Sequence, residues 1–196
     1  MTRGPSKQLD TEVALEKAME VFRAHGYEAS SLSELLKHMG IGKKSLYDTF
    51  GNKRSLFLKT LEHYAHTTIR NVRARLSAEG SPLTNLKQLL KDWHGVNSRS
   101  GSFGCMLGTN IADFNTDDEA IAQVMRGYLQ QLEDVLAATL TRAQAAGELS
   151  AQANPRDLAR LLLCTAQGMA LLSRIMDDDP TLDGAMTATV SVLSHS

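Results

Sequence analysis

The stretch GIGKKSLYDTFGNK, Gly40 to Lys53, puts Lys43 and Lys44 side by side directly after a Gly-Ile-Gly turn, where a short helix should begin. A helix N-terminus already carries about half a positive charge from its aligned peptide dipoles, so the pair is unfavourable until an anion arrives. A nucleotide phosphate is one such anion, but the stretch lacks the parts of a phosphate-binding loop. Lys37 stands where that loop needs its first glycine, Lys44 where it needs Ser or Thr, and no strand precedes it. DNA is the other anion. Two short helices joined by a tight glycine turn form a helix-turn-helix, whose second helix enters the major groove with its first residues toward the bases. On that geometry Lys43, Lys44, Ser45, Tyr47, Asp48 and Thr49 face nucleic acid, with Ser31 at the head of the preceding helix. Leu46 and Phe50, four apart, hold the second helix to its core. Lys53, heading the next helix, reaches a phosphate beside that helix's own N–H groups. The competing reading is a solvated pair of lysines with Tyr47 covering the helix flank.

Other reactive residue types give less. Neither a paired carboxylate, a nucleophile with a base, nor a glycine-rich cofactor loop is present, so catalysis has no support and no cofactor is expected. His94 with neighbouring Asp92 suggests a metal, but no third ligand stands at useful spacing, and Cys105 and Cys164 are too few and too isolated for a zinc site or a disulfide framework. In SGSFGCMLGTN, residues 100–110, Gly101, Gly104 and Gly108 leave little bulk around Cys105. A helix beginning near Phe103 would place this thiol in its first turn, where unpaired N–H groups favour thiolate; the alternative is a small buried cysteine in the core. Cys164 lies within a long apolar helix and is expected to be inert.

The elements that must position these residues read as helices throughout, because apolar residues recur at three and four rather than at two. Residues 10–25 carry Leu15, Ala18 and Phe22 on one face and stop at Gly26. Ser31 and Glu34 form a capping box for a short helix with Leu32, Leu35, Leu36 and Met39 inward, ended by Gly40, and Ile41 is a buried hinge. Helices follow from Lys43 to Phe50, Lys53 to about Ser77, Pro82 to about Ser98, Phe103 to Phe114, Asp117 to about Ala146, Asn154 to about Met176, and Pro180 to about Leu193. Asn154 before Pro155, Asp179 before Pro180, and Thr116 before Asp117 mark three of the starts. The fold class is all-α. A break is placed on the long helix that begins at Lys53, giving a head of residues 1–56 and a body of residues 57–196. Residues 1–60 hold ten Lys and Arg against seven Asp and Glu, a surplus of +3, and the remainder eleven against fifteen, or −4. A basic head on an acidic body fits an anion-binding module with a second function attached. No apolar run is long and unbroken enough for a signal peptide or a membrane span, so a soluble cytoplasmic protein is expected.

Residues 10–64 as a whole resemble the DNA-binding domain of the TetR family of bacterial transcriptional regulators. The matching features are the Ala/Phe-patterned first helix, the G-Y-x-x-S-S lead into the second, the G-I-G turn, the S-L-Y-x-x-F recognition helix and the N-K-x-x-L-F start of the fourth. The resemblance implies phosphate contacts at Tyr47 and Lys53, and variable base and backbone contacts at Lys43, Lys44, Ser45, Asp48 and Thr49. Family members often carry an aromatic or histidine where this chain has Asp48 and Thr49, and Asp48 can accept from cytosine N4 while being repelled by phosphate. Arg3 and Lys7 resemble the basic arm that some members lay in the minor groove. The resemblance also implies a homodimer that binds double-stranded operator DNA as a repressor and is released by a small-molecule effector. Its last two helices would pair across a two-fold axis, through a stripe of Leu158, Leu161, Leu162, Met169 and Leu172, a close-approach strip of Ala159, Ala166 and Ala170, and Leu182, Met186, Val190 and Leu193. Candidate effector-lining residues are Trp93, His94, Phe103, Cys105, Met106, Asn110, Met125, Tyr128 and Met169; the competing reading for each is core packing, where most aromatic and Met residues at helical spacing belong. The G-C-x-x-G stretch around Cys105 resembles one found in members that respond to oxidants or electrophiles. A small helical enzyme or cofactor binder that keeps the head as scaffold is the reading from a different class.

Overall fold

A computed structural model describes residues 10–97, 105–110, 118–176 and 180–195. These residues form nine α-helices and no strand: α1 (Thr11–His25), α2 (Leu32–Met39), α3 (Lys43–Phe50), α4 (Lys53–Leu76), α5 (Pro82–Asn97), α6 (Met106–Asn110), α7 (Glu119–Ala145), α8 (Pro155–Leu172) and α9 (Pro180–His195).

The starts follow from side-chain acceptors for otherwise unpaired N–H groups. Asp10 accepts from Glu12 and Val13, Ser31 from Glu34, Asn52 from Ser55, Asp118 from Ile121, and Asn154 from Arg156 and Asp157. The expected capping box is half made. Ser31 Oγ accepts the Glu34 N–H at 3.1 Å, but the Glu34 carboxylate turns to His25 Nε2 at 3.1 Å rather than back to Ser31. α7 begins at Glu119 with Asp118 as its cap, and Thr116, Asp117 and Asp179 lie outside the described residues. α2 closes on Gly40 in the left-handed region at φ +69°, which glycine enters without steric cost. Ile41 is half-buried rather than fully buried.

α4 is the spine. Its first turns bury Leu56, Phe57 and Leu61 against α1 and α3, and its later turns bury Ile69, Val72 and Leu76 against α5 and α7. Phe22 and Phe57 meet edge to face at 5.0 Å, with Tyr27 alongside. Three carbonyls at the end of α1 are held by residues distant in sequence. Asn110 Nδ2 donates to Phe22 O at 3.3 Å, and the Arg174 guanidinium donates to Arg23 O and Ala24 O at 3.2 and 3.5 Å. Arg54 makes a two-pronged pair with the Asp118 carboxylate, at 2.7 and 2.6 Å.

The apolar stripe expected on α8 splits. Leu162 and Met169 turn inward together with Ala159, Ala166 and Ala170, because the small residues let α8 lie close along α7. Leu161, Leu171 and Leu172 face out, Leu158 is half-buried, and Ile175 just beyond the helix is 83% exposed. Cys164 is exposed on that outward side rather than enclosed by the helix's apolar surroundings. On α9, Leu182, Met186 and Leu193 are buried and Val190 is half-buried. Among the described residues no helix is long and apolar enough to cross a membrane.

Candidate nucleic-acid interface and internal cavity

Leu46 and Phe50 are fully inserted beneath α3, which fixes the opposite side of that helix outward. Its N-cap is Gly42, with no side-chain acceptor, so the first N–H groups of α3 stay open between Lys43 and Lys44. Tyr47 is 45% exposed, with Lys43 Nζ 6.0 Å from its ring centre. Lys44 Nζ pairs with Asp48 Oδ2 one turn on, at 2.5 Å, both side chains largely in solvent. That pair masks the repulsion Asp48 would exert on a phosphate, and an exposed pair is worth little enough to exchange partners readily. Ser45 and Thr49 are half-buried at the helix edges, and the Thr49 carbonyl accepts from Lys59 Nζ at 3.3 Å. Lys53 does not project freely. Its ammonium lies 4.4 Å from the centre of the Tyr27 ring and 3.4 Å from Glu28 O. Ser31 spends its hydroxyl on the cap of α2. Arg3 and Lys7 lie outside the described residues.

A cavity of about 160 Å³ opens among α1, α4, α5, α7, α8 and α9. Trp93, His94, Cys105, Tyr128 and Met169 stand on its wall. Three other candidates do not: Met106, Asn110 and Met125 are packed in the core, because α6 turns its buried side toward α1 and Met125 faces into the bundle. Phe103, with Gly101 and Gly104, lies outside the described residues. The wall also takes Arg23 from α1, Tyr64 and Thr68 from α4, and Gln167 and Ala170 from α8. Neither Arg23 nor Tyr64 was among the lining residues expected from the sequence; the packing of α1 and α4 with the other helices turns them inward.

Cys105 immediately precedes the five-residue α6 instead of occupying its first turn. Its Sγ lies 3.4 Å from the Tyr64 hydroxyl, and the Tyr64 and Tyr128 rings are 5.7 Å apart. Burial, followed by the nearby Cys105 thiol and Tyr128, raises the Tyr64 phenol well above its ordinary range, with Arg23 pulling the other way. Burial and then Cys105 raise Tyr128, against a hydrogen bond from Tyr64. Both phenols are therefore protonated donors at neutral pH. His94 and Asp92 go to separate partners. His94 Nε2 meets Asp183 Oδ1 at 2.7 Å, while Asp92 pairs with Arg75 and accepts from Gln88 at 2.7 Å. No group of three or more His, Cys, Asp or Glu placed to hold a metal occurs among the described residues.

Comparison with known proteins gives two family matches: residues 14–60 match the family described as bacterial regulatory proteins, tetR family, and residues 82–189 the tetracyclin repressor-like C-terminal domain. An uncharacterized HTH-type transcriptional regulator of Bacillus subtilis, YezE, is 32% identical, spanning 97% of this chain and 99% of the relative. The HTH-type transcriptional repressor ComR of Escherichia coli is 31% identical over 88% of this chain and 83% of that one. Among solved structures, a cysteine mutant of the TetR family regulator CifR, complexed with double-strand operator DNA, superposes with a TM-score of 0.82 at 24% identity, covering 95% and 98% of the two chains.

Proposed function

Since the chain belongs to the TetR family of bacterial DNA-binding transcriptional regulators, we propose that it acts as a homodimeric repressor which a small molecule, seated in the cavity, releases from a two-fold symmetric operator. In this reading residues 1–56 form the DNA-binding head and residues 57–196 the effector-binding and dimerisation body. The protein acts where operator DNA lies, in the cytoplasm.

The observation that carries the reading is the open, lysine-flanked N-terminus of α3 with Tyr47 standing out beside it. A phosphate there meets unpaired N–H groups, the positive end of the dipole and two ammonium groups, so the local penalty of Lys43 and Lys44 turns into affinity. Lys44, Ser45, Asp48 and Thr49 are left to discriminate base edges. Lys53 leaves the Tyr27 ring and the Glu28 carbonyl for a phosphate at modest cost, because a cation–π contact near solvent is worth about 0.5–1 kcal/mol.

Fluorescence anisotropy with palindromic DNA from the promoter adjoining its own gene tests this. Specific binding is expected, and Lys53→Ala should weaken it on every sequence while shrinking the salt slope by about one. Substitutions at Lys44, Ser45 or Thr49 should instead change base preference, by about 1–3 kcal/mol each. No preference over random DNA at moderate salt would overturn the reading. A second reading of the release step is favoured by the place of Cys105 on the cavity wall beside the Tyr64 hydroxyl: the effector modifies the thiol. In the same assay, a mild electrophile should then release the wild type and spare Cys105→Ser. Equal behaviour of the two proteins leaves reversible binding as the release step.

A further inference from the structure

Asp48 is the only acid of α3, and the helix carries it at the middle of its outward face. It stands two residues after Leu46 and two before Phe50, the pair inserted in the core. At about 100° of turn per residue it lies about 160° around the helix from each, opposite both anchors. Lys44 is its neighbour on the same face, and Tyr47 and Thr49 flank the two. The exposures agree: the side chains of Lys44 and Asp48 are 88% and 61% exposed, while Ser45 and Thr49 are half-buried.

An ionised carboxylate only accepts hydrogen bonds. Most of what a duplex offers it is also acceptors: phosphate oxygens along the backbone, and guanine N7 and O6 and thymine O4 in the major groove. The donors there are the amino groups at cytosine N4 and adenine N6. The adenine group lies between two acceptors, N7 of its own base and O4 of the paired thymine, so the second carboxylate oxygen is repelled. The cytosine group has an acceptor, guanine O6, on one side alone. That acceptor suits Lys44. Its Nζ lies 2.5 Å from Asp48 Oδ2, so α3 presents an ammonium beside a carboxylate. A C·G pair presents the complement, a donor on cytosine beside the acceptors O6 and N7 of guanine. Exchanging the ion pair for two base contacts costs little, because a pair this exposed contributes little by itself.

We propose that Lys44 and Asp48 act as a couple that reads one C·G pair in each operator half-site, Asp48 accepting from cytosine N4 and Lys44 donating to guanine O6 and N7, with Asp48 rejecting the other bases at that position. This deepens, and rests on, the DNA-binding reading above.

The full-length protein selects binding sites from duplexes with randomised half-sites at moderate salt, and fluorescence anisotropy measures the selected sites. The wild type should enrich cytosine at one position of each half-site, and exchange of that C·G pair for T·A should weaken binding at least about fivefold, the low end for a good base contact. Asp48→Asn exchanges one carboxylate oxygen for a donor and so matches adenine N6 and N7. It should move that one position from cytosine to adenine and leave the others as they were. Asp48→Ala should accept all four bases there, and Lys44→Ala should shrink the loss caused by the T·A exchange. Both side chains lie in solvent, so the variants should melt with the wild type, which circular dichroism checks; were one unstable, the others and the wild-type exchange still decide. A position that stays cytosine in both Asp48 variants, or a preference that changes throughout the half-site instead of at one position, overturns the proposal. A wild type that selects a two-fold site indifferent to residue 48 does so too and leaves the DNA-binding reading standing; one that selects no site removes that reading as well.

Discussion

Lys53 and Tyr64 show how much a side chain's chemistry depends on what stands next to it. Lys53 rests on the Tyr27 ring in the free protein, so its charge is stored against an aromatic face rather than lost to bulk water. Tyr64 and Tyr128 hold their protons because burial penalises the phenolate. This has a consequence for stability. The folded form binds these two protons more tightly than the unfolded chain, whose phenols titrate near the ordinary value of 10.0. Their contribution is complete below that pH and is lost as pH rises above it. The melting temperature followed by scanning calorimetry should fall steeply above about pH 10. A Tyr64→Phe, Tyr128→Phe double variant should show a shallower fall, the remainder coming in part from Tyr27, which burial also raises. An unchanged alkaline slope in the double variant would mean that these phenols ionise without opposing the fold.

At the scale of the element, the helix-turn-helix depends on one backbone conformation. Gly40 closes α2 at φ +69°, where its N–H returns to Leu36 O and Lys37 O, while Gly42 has φ −79° and nothing within 4 Å of where a Cβ would stand. A side chain at Gly40 meets only the far end of Lys17, so its cost is conformational rather than steric. Gly40→Ala should therefore lose about 1–2 kcal/mol in urea denaturation. Gly42→Ala should lose less than about 1 kcal/mol, since alanine is only a poorer N-cap than glycine. Equal losses would show that the turn is held by its neighbours and not by the left-handed glycine. The same element explains why α3 is poorly capped while α2 and α4 are well capped: its stabilising partner at the N-terminus is the DNA in the proposed function.

For the whole molecule, the outward face of α8 is the feature that the isolated chain does not explain. Leu171 is 53% exposed and Ile175 83%, with Leu161 and Leu172 beside them. In the proposed homodimer this face meets its copy, and the pairing sets the separation of two recognition helices at one helical turn of DNA or a multiple of it. Leu171→Glu would bury a charge without a partner in each half of such an interface. Sedimentation velocity should show a shift from dimer to monomer, and operator affinity should fall with it because each head then binds alone. A dimer that persists in this variant would place the interface on another face.

Much of this was legible in the chain itself. The helix starts followed from local acceptors at Ser31 and Asn154, and the head from the spacing of Leu46 and Phe50 beneath Lys43, Lys44 and Tyr47, because caps and 3.6-residue periodicity act within a turn or two of their own sequence. Such local rules do not reach across the fold. That Glu34 would leave its box for His25, that Lys53 would settle on Tyr27, and that α8 would turn its alanines inward and Leu161 and Leu171 outward were decided by neighbours distant in sequence. The cavity belongs to the same class: periodicity marks a residue as buried, but only the packing of α1, α4 and α8 separates Tyr64 and Arg23, which face a space, from Met106, Asn110 and Met125, which fill one.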